Sequence, residues 1–270
     1  MGIFKKKKKP EIYVMDIQGL ITATRPPSFK RYAYDHYEFL DSLHEALTEK
    51  NVLGAILRIS SPGGTAGASM ELACEIARLA QKKPVIASVS DSACSGAYLA
   101  ACTCTKIYAS PMAMIGSIGV VMNLPDLREL SGKIGFGMRT VKSVPLKDIG
   151  SPFREMTEQE EQLLSSMVMD SHQCFASFVK EHRKSAADVE QIADGRIFST
   201  ADAIKMGLVD AAGTYYDAAD DLLRLLGKEE KDVDFVEDEE EEGLVSKIVG
   251  ALSANSAIET LMADAWPRLR

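Results

Sequence analysis

The sequence predicts an α/β protein with a mostly parallel sheet and a helical C-terminal part. Between residues 50 and 142, short apolar runs of strand length alternate with segments whose apolar residues recur at helical spacing. Beyond Pro152 the helical spacing takes over. Strands that alternate with helices pair in parallel through right-handed crossovers, so these observations together indicate a layered α/β domain.

The composition is that of an ordinary globular protein, with 46% apolar and 26% charged residues among 270. It excludes collagen-like, disulfide-scaffold and wholly disordered proteins. The net charge of −8 is concentrated in residues 229–242, where ten acidic residues accompany one lysine. Five cysteines, an odd number without a CxxC pair, favour a reducing compartment over structural disulfides and form no zinc pattern. No metal or organic cofactor is expected.

The first half of the chain shows strand and helix patterns in turn. Residues 11–24 alternate in polarity and predict a strand or a pair of strands, which Pro26 and Pro27 end. An amphipathic helix is expected from Asp35 to near Asn51. The elements predicted next are a buried strand at 53–59, a loop at 60–67, a helix through Leu72, Ile76 and Leu79, a buried strand at 84–90, a turn at 91–96, a short helix at 97–102, and short strands at 106–110 and 117–121.

The second half is mainly helical. A long helix starts after Thr157, which with Glu160 forms the S/T-x-x-E pattern of a capping box. A short helix at 200–206 is closed by Gly207, a brief strand and turn follow at 208–213, and a last helix covers 216–226. The predicted organisation is a basic tail at 1–10, a globular domain at 11–227, a solvated acidic linker at 228–242 and an amphipathic tail at 243–270.

Three glycine-rich turns follow predicted strands, at residues 61–64, 93–98 and 116–119. Glycine at such a turn lets backbone N–H groups point into open space, where they can stabilise an anion. Ser95 lies in the second turn at the start of a helix, so its hydroxyl can project from the sheet edge as a nucleophile. Each turn alone is a weak signal, since glycines also close tight crossovers.

Together and in this order, the three turns resemble those of the SppA-type signal peptide peptidases, serine proteases of the Clp protease/crotonase-like fold with its repeated ββα units. The similarity covers residues 50–227 and includes the segments LKDIGSPFREMT and ADGRIFSTADAIKMGLVD. The resemblance implies a serine endopeptidase with a Ser-Lys dyad that hydrolyses signal peptides or other extended apolar peptides.

The resemblance also implies roles for individual residues. Ser95 is the nucleophile, Lys147 the general base, and Ser117 the hydroxyl that orients the lysine. The oxyanion hole is assigned to the N–H groups of Gly64 and Gly96, and substrate binding to Gly63, Gly116 and Ile118, with Gly63 also an alternative to Gly64. To act as a base, Lys147 must be uncharged, which requires burial among apolar neighbours such as Val144 and Ile149.

Other candidates for the base and the nucleophile are weaker. None of the four histidines lies where a Clp-type protease places its own, so a Ser-His-Asp triad is not expected, although histidines could converge from distant positions. Lys142 is the competing lysine. Cys94 adjoins Ser95, but a small residue next to the nucleophile is expected to face the core and not to react.

The partners and the location follow partly from the resemblance. Similar single-domain proteases form ring-like homo-oligomers, so an octamer with active sites between subunits is expected, and no nucleic acid. The sequence shows no apolar membrane-spanning run, which predicts a cytoplasmic protein or one peripheral to the membrane, anchored only if an N-terminal anchor is missing from this chain. Lys5 to Lys9 could contact an anionic membrane surface weakly.

Three functions remain open at this point. The first is the Ser-Lys endopeptidase. The second is a crotonase-type acyl-CoA enzyme, for which no acid and base carboxylates are evident near the glycine-rich turns. The third is an idle scaffold or a phage-type capsid-maturation protease. The joint presence of Ser95, Lys147 and Ser117 argues against an idle protein but does not separate the two kinds of protease.

Overall fold

The computed structural model describes residues 9–24, 34–184, 186 and 188–237. A compact unit extends to Val236, and a second unit begins at Glu237. The predicted tail at 243–270 and Lys5 to Lys8 lie outside the described residues. Within the described residues, no helix combines the length and the apolar character that crossing a membrane requires.

The described part of the chain contains eight strands and eight α-helices. The strands are β1 (Glu11–Ile21), β2 (Val52–Gly64), β3 (Val85–Cys94), β4 (Lys106–Ala109), β5 (Met114–Gly116), β6 (Ile197–Ser199), β7 (Ala211–Ala212) and β8 (Asp234–Glu237). The helices are α1 (His36–Thr48), α2 (Ala66–Ala80), α3 (Gly96–Ala101), α4 (Arg128–Lys133), α5 (Glu158–His182), α6 (Val189–Ile192), α7 (Thr200–Lys205) and α8 (Tyr215–Leu226). Two 3₁₀ turns lie at Pro145–Asp148 and Glu230–Asp232.

All eight strands belong to one sheet with the order β6-β5-β3-β2-β1-β8, in which β4 also pairs with β3 and β7 with β4. The pairs β1–β2, β2–β3, β3–β4, β3–β5 and β4–β7 are parallel, and β5–β6 is antiparallel. The predicted α/β class with a mostly parallel sheet and a helical C-terminal part is therefore confirmed.

The two faces of the sheet pack against different helices, because alternate residues of a strand face opposite sides. Tyr13, Leu57 and Ala87 belong to a large core cluster with residues of α1, α2 and α3. Ile12, Ile56 and Ile86 belong to a smaller cluster with Leu222 of α8 and its neighbours. The strands are thus buried on both faces, as is typical of parallel sheets.

Strand β3 changes partner along its length, and this change positions the site. Its first half, Ile86 to Val89, pairs with β4, whereas its last residues, Ser92 to Cys94, pair with β5. The segment that follows β3 therefore lies beside the segment that follows β5. Ser95 and Ser117, which are distant in sequence, meet at the same edge of the sheet.

Several predicted boundaries differ from the structure. β2 and β3 continue through the predicted turns up to Gly64 and Cys94, because the pairing with β1 and β5 extends that far. The strand predicted at 117–121 is wrong: β5 ends at Gly116, and residues 117–121 have no regular secondary structure.

The predicted acidic linker is also wrong in its first part. Residues 234–237 form β8 next to β1, and Asp234 N–H donates to Pro10 O over 2.9 Å. The reason is the apolar content of this stretch, since Val233 is buried in the smaller core cluster and Phe235 packs against it. The compact unit thus extends nine residues past the predicted domain end at 227.

Candidate active site

The three glycine-rich turns meet at one cavity of about 1050 Å³. Residues from all three line it, namely Gly63 and Gly64, Ser95 and Gly96, and Ser117 and Gly119. Most of the remaining wall is apolar and includes Leu20, Met70, Leu99, Val120, Val168 and Phe175. The cavity combines two hydroxyl groups, several backbone amides and an apolar wall.

Ser95 occupies a strained turn between β3 and α3. Its φ of 52° lies in the left-handed region, which L-residues other than glycine seldom adopt, and such strain concentrates at functional sites. The turn is held at both sides: Ser95 N–H donates to Gly116 O over 2.7 Å, and Ser95 O accepts the Leu99 N–H over 3.0 Å. The side chain is half-buried at the cavity wall. A serine on a strand-to-helix turn, with its side chain at a cavity, is an arrangement suited to a nucleophile.

The two candidate amides of the first turn are in different situations. Gly63 N–H donates to Ser61 Oγ over 3.1 Å, and Ser61 Oγ in turn donates to Gly19 O over 2.6 Å. Thr65 N–H donates to Ile21 O of β1, so the end of β2 is held against β1. The Gly64 nitrogen lies next to the turn that carries Gly96.

Gly96 and Gly64 lie side by side. A Cβ atom built on Gly96 would be 3.4 Å from Gly64 N, so the Gly64 amide nitrogen is a near neighbour of the Gly96 backbone. Gly63 is tied to the same turn, because a Cβ atom on it would be 2.7 Å from Gly96 N. Of the two alternatives for the first donor, the geometry favours Gly64.

Ser117 also adopts a left-handed conformation, with a φ of 49°. Its N–H donates to Arg196 O over 2.8 Å, and Gly195 N–H donates to Ile118 O over 3.1 Å, so the ADGRIF segment braces this turn. The side chain is half-buried at the cavity, on the same wall as Ser95.

The structure gives Gly116 and Ile118 internal roles. Gly116 O accepts the Ser95 N–H, and a Cβ atom on Gly116 would be 2.9 Å from Phe198 Cδ2. The Ile118 side chain is fully buried, and its carbonyl oxygen is already bonded to Gly195. The cavity is lined instead by the next residues, Gly119, Val120 and Val121, which sequence reasoning did not assign to substrate binding.

Lys147 does not line the cavity. It lies on the 3₁₀ turn Pro145–Asp148, and its side chain is exposed, as is the Val144 side chain with 55% of its surface accessible. The burial that the sequence led us to expect is therefore not provided within a single chain. The structure brings Ser95, Ser117, Gly64 and Gly96 together, but it does not bring Lys147 to them.

The turn that carries Lys147 is fixed by a charged network around Asp148. The Asp148 carboxylate accepts hydrogen bonds from Arg154 over 2.8 Å and from Lys142 over 2.6 Å, and these cations lower its pKa. Arg154 also pairs with Glu160, the buried capping residue of α5. Because Lys142 also donates to Pro145 O, its ammonium group is committed to this network, which makes it a poor candidate for the base.

Acid should loosen this network. Hydrogen bonds from Arg154 and from the Thr157 N–H lower the pKa of Glu160 from 4.5 to about 2. A carboxylate whose pKa is lowered on folding contributes its stability in full above the unfolded pKa and loses it as the pH falls through the folded value. We expect Glu160→Gln to lower the Tm at neutral pH and to leave little further loss from this group between about pH 4.5 and 2.

Differential scanning calorimetry of the two proteins over that pH range checks this expectation. Glu181→Gln, at an exposed position of the same helix, is the matched control and should follow the wild type throughout. Equal Tm differences between Glu160→Gln and wild type at every pH would show that the carboxylate charge does not stabilise the loop.

Helix α5 forms the far wall of the cavity with Val168, Met169, His172 and Phe175. His172 is half-buried there and was not expected from its position in the sequence. The helical spacing of α5 could have indicated that His172 lies on the same face as Val168 and Phe175, since residues 168, 172 and 175 share one face of a helix. His172 is thus the histidine to test as an alternative base.

Cys94 fits the prediction that it is not reactive. It is 6% exposed, burial raises its pKa, and its Sγ lies 3.6 Å from Met114 O, away from the cavity lining. Among the described residues, no group of three or more His, Cys, Asp or Glu side chains is arranged to hold a metal ion.

The chain matches the model of Peptidase family S49 over residues 77–228. It belongs to this family. It is 40% identical over 200 residues to "Putative protease MJ0651" of Methanocaldococcus jannaschii, a match that covers 74% of this chain and 63% of the relative. It is 35% identical to "Putative protease slr0021" of Synechocystis, with 82% and 78% covered, and 35% identical to "Serine protease SPPA, chloroplastic" of Arabidopsis thaliana, with 76% and 31% covered. The S49 chain therefore spans less than two thirds of some of the relatives it matches.

Proposed function

We propose that this S49 chain is a serine endopeptidase that cleaves extended apolar peptides, such as released signal peptides, with a Ser-Lys dyad. The observation that carries the proposal is the convergence of Ser95, Ser117 and the amides of Gly64 and Gly96 on one cavity with an apolar wall. A crotonase-type acyl-CoA enzyme is disfavoured, because the family match is to a peptidase.

The proposed reaction is acyl transfer through Ser95. Lys147, uncharged, takes the proton from Ser95 Oγ while this oxygen attacks the peptide carbonyl carbon. The carbonyl oxygen becomes an oxyanion between the N–H groups of Gly64 and Gly96. Collapse of the intermediate breaks the C–N bond, and the lysine returns its proton to the leaving amine. Water then hydrolyses the acyl-enzyme by the same steps.

The lysine would come from a neighbouring copy of the chain. In one chain Lys147 is exposed and outside the cavity, while Ser95 and Ser117 are half-buried in it. The stretch 121–147, which ends at this lysine, exposes large apolar side chains, among them Val121 at 78%, Ile134 at 69% and Val141 at 93% accessible surface. Apolar surface of this extent is typical of a protein interface. Packing of two copies would bury the lysine and thereby favour its uncharged form. A ring of eight copies is the assembly we propose.

The substrate class follows from the cavity wall. Apart from the hydroxyl groups and amides of the glycine-rich turns, the lining side chains are largely aliphatic, with Asp194 and His172 as the ionisable groups. Such a wall favours apolar side chains of a substrate whose backbone meets the amides. A weak contact with anionic membranes through Lys5 to Lys9 remains part of the proposal, although only Lys9 is described; it pairs with Asp234 over 3.6 Å.

The test is cleavage of fluorogenic apolar peptides by the wild type, Ser95→Ala and Lys147→Ala at matched oligomeric state. We expect each variant to lower kcat by about 10⁴-fold or more, because nucleophile and base act as one unit. The wild-type rate should rise with pH between about 6 and 10, as a general base loses its proton.

Lys142→Ala and His172→Asn are the controls that separate the candidate bases. Both should keep kcat within about tenfold of wild type, since neither is assigned to proton transfer. A large loss in His172→Asn combined with full activity of Lys147→Ala would overturn the Ser-Lys assignment. Cleavage that survives Ser95→Ala would overturn the proposed function itself.

A further inference from the structure

Ser69 is a buried hydroxyl group without a partner beside the candidate oxyanion hole. It is the fourth residue of α2, is 1% exposed, and its Oγ makes no hydrogen bond within the described residues. A serine inside a helix commonly bonds through its hydroxyl to a carbonyl one turn earlier. Here Thr65 O accepts the Ser69 N–H over 3.0 Å, as in any helix, but it accepts no bond from the Ser69 hydroxyl. An unpaired buried hydroxyl destabilises a fold, so its position calls for a reason.

The hydroxyl group packs directly onto Gly96. A Cβ atom built on Gly96 would lie 2.0 Å from Ser69 Oγ and 2.6 Å from Ser69 Cβ. Since a Cα–Cβ bond is about 1.5 Å long, Oγ lies within about 3.5 Å of Gly96 Cα, the distance of a Cα–H···O contact. Ser69 therefore forms the surface on which the Ser95–Gly96 turn rests, and Ser69 lines the cavity beside this turn.

We propose that Ser69 is a positioning residue for the reaction: its hydroxyl sets the position of Gly96 and thereby the direction of the Gly96 N–H toward the oxyanion. The inference rests on the proposed function, which makes this N–H an oxyanion donor. Ser69 does not touch the reacting atoms and acts through Gly96.

Both sides of the turn support this role. On one side, the Ser95 N–H donates to Gly116 O of β5. On the other side, Gly96 packs against Ser69 of α2. An oxyanion hole depends on donors fixed within a few tenths of an ångström of the developing charge, and small displacements cost large factors in rate. If the Ser69 Oγ atom is removed, Gly96 can shift toward α2, and its N–H then turns away from the oxyanion.

The first test is Ser69→Ala in the full chain, followed by Tm, kcat and KM on an apolar fluorogenic peptide. Removal of an unpaired hydroxyl from a helix should raise the Tm by about 2–4 °C. The same change should lower kcat by about tenfold or more and leave KM within about twofold, because the effect is on transition-state stabilisation. A residue with a structural role alone would not move stability and kcat in opposite directions.

Ser166→Ala on the exposed face of α5 is the matched control and should leave kcat unchanged. Ser95→Ala gives the background rate of peptide turnover, against which the other variants are compared. If Ser95→Ala abolishes turnover while Ser69→Ala keeps wild-type kcat, or lowers the Tm, the positioning role is wrong and the proposed function stands. If turnover survives Ser95→Ala, the proposed function fails, and this inference fails with it.

The second test is a double-mutant cycle between the two residues in contact. Gly96→Ala should lower the Tm and abolish turnover, because its methyl group collides with Ser69. Ser69→Gly in the same chain removes both clashing atoms, so the double variant should have a higher Tm than Gly96→Ala, although Ser69→Gly alone lowers the Tm. Additive Tm losses would show that Gly96 does not rest on Ser69 and would overturn the inference.

Discussion

A mixture of Ser95→Ala and Lys147→Ala proteins is expected to recover about a quarter of the wild-type turnover, although neither variant cleaves peptides alone. If each site combines Ser95 of one copy with Lys147 of its neighbour, random mixing of equal amounts makes about one site in four intact. The structure motivates this expectation, since Lys147 is exposed and does not line the cavity that holds Ser95. Turnover is measured after the mixed proteins are dissociated and reassembled.

The mixture has a built-in control. Mixing Ser95→Ala with Ser117→Ala should restore far less, because Ser95 and Ser117 line the cavity of the same chain. A mixture of the first pair that stays inactive, at an oligomer size equal to that of wild type, would place nucleophile and base in one chain and contradict the shared site.

Gly64→Ala is expected to abolish turnover and to lower the free energy of unfolding by about 3 kcal/mol or more. A Cβ atom at this position would lie 1.8 Å from Ile21 O, a backbone atom of β1 that cannot rotate away. The last residues of β2 would have to separate from β1, and the amide of Gly64 would leave its place beside Gly96. Chemical denaturation and peptide cleavage measure the two effects.

Gly67→Ala is the matched control, three residues further along. Apart from its chain neighbours and the backbone of its own helix, no described atom lies within 4 Å of a Cβ built on Gly67, which is exposed in the first turn of α2. Alanine is the better helix former, so we expect a gain in stability of about 0.5–1 kcal/mol and an unchanged kcat. Equal stability of the Gly64 and Gly67 variants would show that β2 does not approach β1 as closely as described.

The elements that depend on residues close together in the sequence were predicted correctly. The capping box of Thr157 and Glu160, the apolar spacing of α2 and the glycine-rich turns depend on neighbouring residues, and the structure contains all of them. β8 was missed because its acidic composition resembles a linker, and only the space beside β1 gives Val233 and Phe235 a core to join.

The cavity could be predicted only in part for a similar reason. The turns that hold Ser95 and Ser117 carry a sequence pattern, whereas His172 and Ser69 reach the cavity through the packing of α5 and α2. A serine among small residues at the start of a helix has no pattern of its own, and its significance comes from a missing hydrogen bond. The place of Lys147 in the site cannot be read from the cavity of one chain, since Lys147 is exposed and does not line it.

The pairing of β8 with β1 has a consequence for synthesis of the protein on the ribosome. β1 leaves the ribosome before the other strands of this sheet, and one of its edges is covered by β2 after about forty further residues. Its other edge has no strand partner until residues 234–237 arrive and pair with part of it, after nearly the whole of the compact unit has been made. During that interval the nascent chain presents a long apolar strand with unpaired backbone groups, which is the segment a chaperone would have to shield from other chains.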